Sequence, residues 1–136
     1  MSDYAFLGFG IPLGILAERQ RQIDVERWSA ASDDSRIDGS LLVAAMLYHR
    51  HGAGLHVSME SWHCGTESTV ECPLGWPWLP EWWKPKTPER DLDRAGALCL
   101  AEIDRMRRWD PTCDVDVAVI VLKDVIRAYN ALPPAG

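Results

Sequence analysis

The sequence predicts a mainly α fold, a single domain of about four helices with a small β-hairpin insertion. Three observations predict it. Apolar residues recur at helical spacing over 13–31, 40–50, 87–108 and 114–132. Between the second and third of these, Leu55, Val57 and Met59 alternate with His56, Ser58 and Glu60, the period of a strand. The third helix is then approached through GWPWLPEWWKPK at 75–86, which holds four of the seven tryptophans. A chain of 136 residues has room for one core, so 1–136 is expected to be one helical domain.

Each element has its own warrant. Residues 1–12 form an apolar arm with glycines at Gly8 and Gly10, expected to lie on the domain. In the first helix, 13–31, Leu16, Gln20, Ile23 and Arg27 fall on one face. Asp33 and Asp34 open a turn, and Asp38 or Ser40 can cap the second helix, 40–50, whose Ala44 and Ala45 permit close helix approach. Residues 51–75 are an inserted loop or hairpin, with Ser68 to Cys72 as second strand and Cys64, Gly65 and Thr66 near the turn. Thr87 is a good N-cap and Pro88 fits the first position of the third helix. Its stripe is Leu92, Ala95, Gly96, Cys99, Ile103 and Met106, supported by the pairs Asp91–Arg94 and Glu102–Arg105. In the fourth segment, valines at 115, 117, 119 and 121 suggest a strand, but Ala118, Leu122, Val125, Ile126 and Tyr129 keep helical spacing for longer and favour a helix. The core is predicted from Leu16, Ile23, Leu42, Met46, Leu92, Cys99, Ile103, Met106, Leu122, Val125 and Ile126.

Composition narrows the function classes. A net charge of −6 argues against a phosphate-binding surface, so no direct nucleic-acid partner is expected. The apolar start carries no basic region and turns polar at Glu18, so neither a signal peptide nor a membrane span is read and a cytoplasmic location is expected. Cys64, Cys72, Cys99 and Cys113 form no CxxC pair and read as thiols. No phosphate-binding glycine loop, GxSxG or HExxH occurs.

Three constellations could carry chemistry. His49, His51, His56, His63, Cys64 and Cys72 lie within 24 residues. Zinc takes four N or S ligands, which His49, His51, His63, Cys64 and Cys72 could supply, but the spacing matches no standard finger, and surface histidines on a variable loop are the plainer reading. No cofactor is therefore expected, with Zn or Mg as the alternatives. Glu102 falls on the apolar side of the third helix, where a carboxylate needs a partner, and Arg19 or Arg27 of the first helix could form a structural ion pair with it. The acidic residues also invite comparison with the MazG-type all-α nucleotide pyrophosphohydrolases, in which facing helices hold metal through ExxE and ExxD. No ExxE occurs here, and Glu102-Ile-Asp104 has the wrong spacing. The tryptophan run reads either as a packing plug or as a binding surface.

ERQRQIDVERW at 18–28, the Asp33-Asp34 turn, WPWLPEWWKPK at 76–86 and RDLDRAGALCLAEIDR at 90–105 resemble a family of small uncharacterised phage and prophage accessory proteins. The family pattern reads ERxRQxxxEGW, HDD, WPW, WWKP and RDLxxAGALxxAEIxR. This chain departs from it at Arg27, Ser32 and Arg36, where relatives carry glycine, histidine and histidine. The resemblance brings no activity, but it implies a mobile-element protein working inside a bacterium. Because WPW and WWKP recur with the helix that follows, Trp76, Trp78 and Trp82 are expected to pack and Trp83 to be exposed. The expected function is stoichiometric binding of a bacterial host or defence protein, such as a component of a CRISPR system. The binding residues expected are Trp83, Phe6, Phe9, Trp62 and His56. A metal-dependent nucleotide hydrolase using Glu102 with Asp33 or Asp34, and a self-associating homodimer using the arm and tryptophan run, are the alternatives.

Overall fold

The computed structural model describes residues 4–24, 39–64 and 68–133. Among these are four helices and one hairpin: α1 (Leu13–Asp24), α2 (Ser40–Gly52), β1 (Met59–Cys64), β2 (Ser68–Pro73), α3 (Pro88–Trp109) and α4 (Asp116–Asn130). Short 3₁₀ turns stand at Ala5–Leu7 and Pro80–Trp82.

α3 is the central helix, and α1, α2 and α4 all pack on it. Its start follows from local chemistry. The Thr87 hydroxyl accepts the Arg90 N–H at 3.2 Å, and Pro88 spends no hydrogen bond because the first helical N–H has no partner. Glu89 and Asp91 sit in the first turn and Arg107 and Arg108 in the last, each sign at the helix end whose dipole favours it. Leu92, Ala95, Gly96, Cys99 and Ile103 are buried as predicted, whereas Met106 is only half-buried. Small residues at 95–97 and 101 let the neighbours approach closely: a Cβ on Gly96 would stand 2.6 Å from a carbon of Ile15.

Two helices present faces other than the expected ones. On α1 the buried residues are Ile15, Glu18, Arg19 and Gln22, while Ile23 is exposed and Leu16 half-buried. The helix is turned by about one position because Glu18 and Arg19 meet charged partners on α3. On α2, Leu41, Ala44, Ala45 and Tyr48 are buried, Leu42 is half-buried and Met46 is half-exposed. Here the Tyr48 hydroxyl, which accepts both the Lys84 N–H and an Arg94 N–H at 3.1 Å, sets the inward face. Gly39, at φ 80°, takes the N-cap position that Asp38 or Ser40 was expected to fill; Ser40 is already the first helical residue, and Asp38 lies outside the described residues.

α4 is helical, with Ala118, Leu122 and Val125 buried at helical spacing and Ile126 half-buried. The hairpin starts four residues later than the alternation at 55 suggests. Its register runs from Met59 opposite Pro73 to Cys64 opposite Ser68. Residues 55–58 carry no regular secondary structure and have no strand partner along them, apart from Ser58, whose carbonyl accepts the Leu74 N–H at 2.8 Å. Among the described residues, no helix is long and apolar enough to cross a membrane.

Candidate functional site

The tryptophan run builds an aromatic cluster against α2. The Trp83 ring lies 4.5 Å from Tyr48 and 5.2 Å from Trp76, and Trp76 meets Trp78 edge-on at 5.3 Å. The Trp76 indole N–H donates to the Leu79 carbonyl at 3.0 Å. Trp83 is 8 % exposed and Trp82 is 50 % exposed, the reverse of the expectation. The reason is local: Trp82 ends the 3₁₀ turn, while Trp83 leaves it in extended conformation (φ −75°, ψ 108°), which swings the two rings apart. Trp83 is thus a packing residue whose remaining surface forms part of a groove.

That groove, about 450 Å³, is lined by His51, Leu55, Val57, Met59, Glu71, Trp83 and Pro85. Helix α2 supplies His51, the segment after it supplies the apolar wall, and the hairpin supplies Met59 and Glu71. His51 is held in place by its Nδ1, 2.7 Å from Asp91 Oδ2, with the Trp83 ring edge-on at 5.6 Å. Asp91 is 2 % exposed, and its other oxygen accepts the Lys86 N–H at 2.7 Å. It therefore serves His51 rather than Arg94, the partner that helical spacing had suggested. The arrangement orients the imidazole and leaves Nε2 without a partner among the described residues. No spacing rule links His51 to Asp91, 40 residues on, so sequence reading missed the pair.

The other expected binding residues are dispersed. Trp62 is 51 % exposed on β1, opposite Val70. His56 is exposed, its Nε2 3.3 Å from Ser58 Oγ, and its carbonyl accepts two N–H groups of Arg50. Phe6 and Phe9 of the arm lie against their own chain: the Arg107 guanidinium stacks 3.7 Å from the Phe6 ring centre, and Lys123 Nζ lies 5.2 Å from that of Phe9. The Tyr4 hydroxyl donates to Asp104 at 2.9 Å, anchoring the arm.

The zinc candidates do not converge. Among the described residues, no group of three or more His, Cys, Asp or Glu side chains is placed to hold a metal ion. His51 is engaged by Asp91. His49 is half-buried on a different side of the helix, where burial lowers its pKa against the opposing pull of Asp124. His63 is exposed opposite Thr69, and Cys72 is buried opposite Glu60, where burial raises its thiol pKa and the Glu60 charge adds to the effect. The Cys64 side chain lies outside the described residues.

Glu102 pairs with Arg105 of its own helix, not with Arg19. Arg19 instead reaches Asp104, with Nη2 at 3.1 Å and Nε at 3.2 Å. Two residues along α3 turn the direction by about 200°, so Asp104 faces α1 while Glu102 points to another side and meets Arg105. Arg27, Asp33 and Asp34 lie outside the described residues.

A further, partly buried charged layer joins α1 to the start of α3. Glu18 accepts from Arg21 at 2.8 Å and from Arg90 at 2.9 Å, and Arg90 also reaches Asp93 at 3.2 Å. Burial raises the Glu18 pKa, but the Arg21 hydrogen bond and the charges of Arg21, Arg90 and Arg94 outweigh it, leaving the carboxyl below its usual value. Asp93 is shifted the other way, raised by burial against the pull of Arg90 and pushed further by Glu89 and Glu18. Its Oδ1 is buried without a hydrogen-bond partner.

Compared with protein-family models, curated proteins and solved structures, the chain returns no match.

Proposed function

We propose that this chain is a phage or mobile-element accessory protein that acts stoichiometrically by binding a protein of the bacterial host, using the groove beside the hairpin. The observation that supports this most is a stretch of chain dense in exposed apolar side chains. Leu55, Met59, Trp62, Leu74, Leu79 and Trp82 are between 44 % and 63 % exposed, and two of them line the groove. Large apolar groups left exposed along one stretch of chain favour a partner that covers them, and tryptophan and methionine are enriched at such contacts. The resemblance of the 18–28, 76–86 and 90–105 segments to small phage proteins supplies the setting, and a defence complex such as CRISPR is the partner class. The negative net charge favours a protein partner over nucleic acid. The pairing of Glu102 with Arg105 weighs against the hydrolase alternative, which relied on that carboxylate.

The test uses the tagged full chain and its Leu55→Asp variant to capture partners from host lysate. A nucleotide-hydrolysis screen with Mg²⁺ and Mn²⁺ runs beside it. The expected result is one host protein retained in fixed stoichiometry, bound at least about tenfold more weakly by the variant, whose thermal midpoint stays near wild type because Leu55 is half exposed. Nucleotide turnover without a partner overturns the proposal.

A further inference from the structure

The two edges of the hairpin are not alike. The Leu74 N–H bonds the Ser58 carbonyl, so Ser58 and Leu74 are a hydrogen-bonded pair. In an antiparallel ladder such pairs alternate. Glu60, Trp62 and Cys64 therefore exchange bonds with β2, and the N–H and C=O groups of Met59, Ser61 and His63 point away from it. β1 has β2 as its only strand neighbour among the described residues, and Met59, Ser61 and His63 are all exposed. Their outward groups have no partner among the described residues. β2 is different. It ends in Pro73, which has no N–H and whose carbonyl accepts the Trp76 N–H at 3.0 Å, and the 3₁₀ turn packs beside it. β1 carries neither proline nor lysine, the usual protections of a free edge.

We propose that β1 is the contact through which two copies of this chain associate, pairing antiparallel about a two-fold axis at Ser61. This reading does not rest on the host-protein groove, because it uses the backbone edge of β1, although the two surfaces share the Met59 side chain. The occupant follows from self-complementarity. A strand that pairs with its own copy must tolerate its own charges. Centred on Glu60, the pairing would set carboxylate against carboxylate. Centred on Ser61, it sets Glu60 opposite Trp62 of the second copy and Met59 opposite His63. This register pairs all three outward-facing residues, whereas centring on Trp62 would leave Met59 opposite residue 65. The half-exposed Met59 and Trp62 are covered in the process.

Sedimentation velocity on the purified full chain, without any partner, tests the proposal. Wild type is expected to show a concentration-dependent monomer–dimer equilibrium. Ser61→Pro removes an outward N–H while leaving the β1–β2 ladder intact, and is expected to be monomeric with unchanged circular dichroism. Two charge variants read the register. Trp62→Glu sets a carboxylate opposite each Glu60 and is expected to weaken association at least about tenfold. Trp62→Lys sets lysine opposite Glu60 and is expected to restore it. A wild type that stays monomeric at the highest soluble concentration overturns the proposal, including the case where a foreign strand fills the edge. So does a Ser61→Pro dimer, or equal disruption by both charge variants. Loss of host capture with the dimer intact would instead be a failure of the groove reading.

Discussion

Adjacent residues divide the work of the tryptophan run. Trp83 closes an aromatic cluster over Tyr48, whereas Trp82 faces outward. Trp83→Ala is expected to cost about 3–5 kcal/mol in urea unfolding, and Trp82→Ala less than about 0.5 kcal/mol. Equal effects would mean that the cluster does not carry the turn. Asp93 offers a pH test at the same scale. Its folded-state pKa is raised, so the native state holds the proton more tightly than the unfolded chain does. Ionisation then destabilises the fold as pH rises from the ordinary carboxylate range, about 4, through the raised value. Asp93→Asn keeps an oxygen for Arg90 and removes that ionisation. It is expected to stabilise the protein at pH 7 by on the order of 1 kcal/mol, with the gain vanishing near pH 4. A pH-independent difference would show that the orphaned Oδ1 is not responsible. Glu18 acts in the opposite sense: its lowered pKa contributes stability above the carboxylate range that is lost on acidification.

Helix contacts are set by small residues as much as by large ones. At Gly96, three carbons of Ile15 lie 2.6–2.8 Å from where a Cβ would stand. Because Ile15 is fully buried and branched, it has little room to move. Gly96→Ala is expected to destabilise by about 1–3 kcal/mol in chemical unfolding, despite alanine's better helix propensity. A neutral or stabilising result would mean that α1 slides to make room. The elements themselves were largely legible in the sequence. Thr87 and Pro88 marked the start of α3, and its stripe from Leu92 to Ile103 was read correctly. Ala118, Leu122 and Val125 outvoted the alternating valines of α4. Faces were harder. An apolar count placed Leu16 and Ile23 inward on α1, but the burial of Glu18 and Arg19 is decided by Arg90 and Asp104, more than 70 residues away. The candidate groove was hardest to read. His51 stood out only as one histidine among four, because its partner Asp91 and its neighbour Trp83 belong to distant segments.

Across the whole molecule, order is unevenly distributed. The helices share one core, to which, among the described residues, the hairpin contributes little beyond Cys72 and Pro73 at the end of β2. Native-state hydrogen exchange is therefore expected to be at least about tenfold faster in β1 and β2 than at Leu98 to Ile103 of α3. At low concentration the outward amides of Ser61 and His63 should be little protected, and protection that appears there only on raising concentration would mark strand pairing between copies. Equal protection of hairpin and α3 would contradict this account. Pro73 gives that pairing a limit. Once two β1 strands have met, both outer edges of the enlarged sheet are β2 strands, each closed at its base by a proline and a turn. An edge that recruits a copy of itself normally invites a third and a fourth, which is how fibres begin. On the proposed pairing, Pro73 and the turn behind it leave only Thr69 and Glu71 as a template on each outer edge, so a third copy would find a shorter strand to join than the second did, and an exposed strand comes closer to a counting device than to an aggregation hazard.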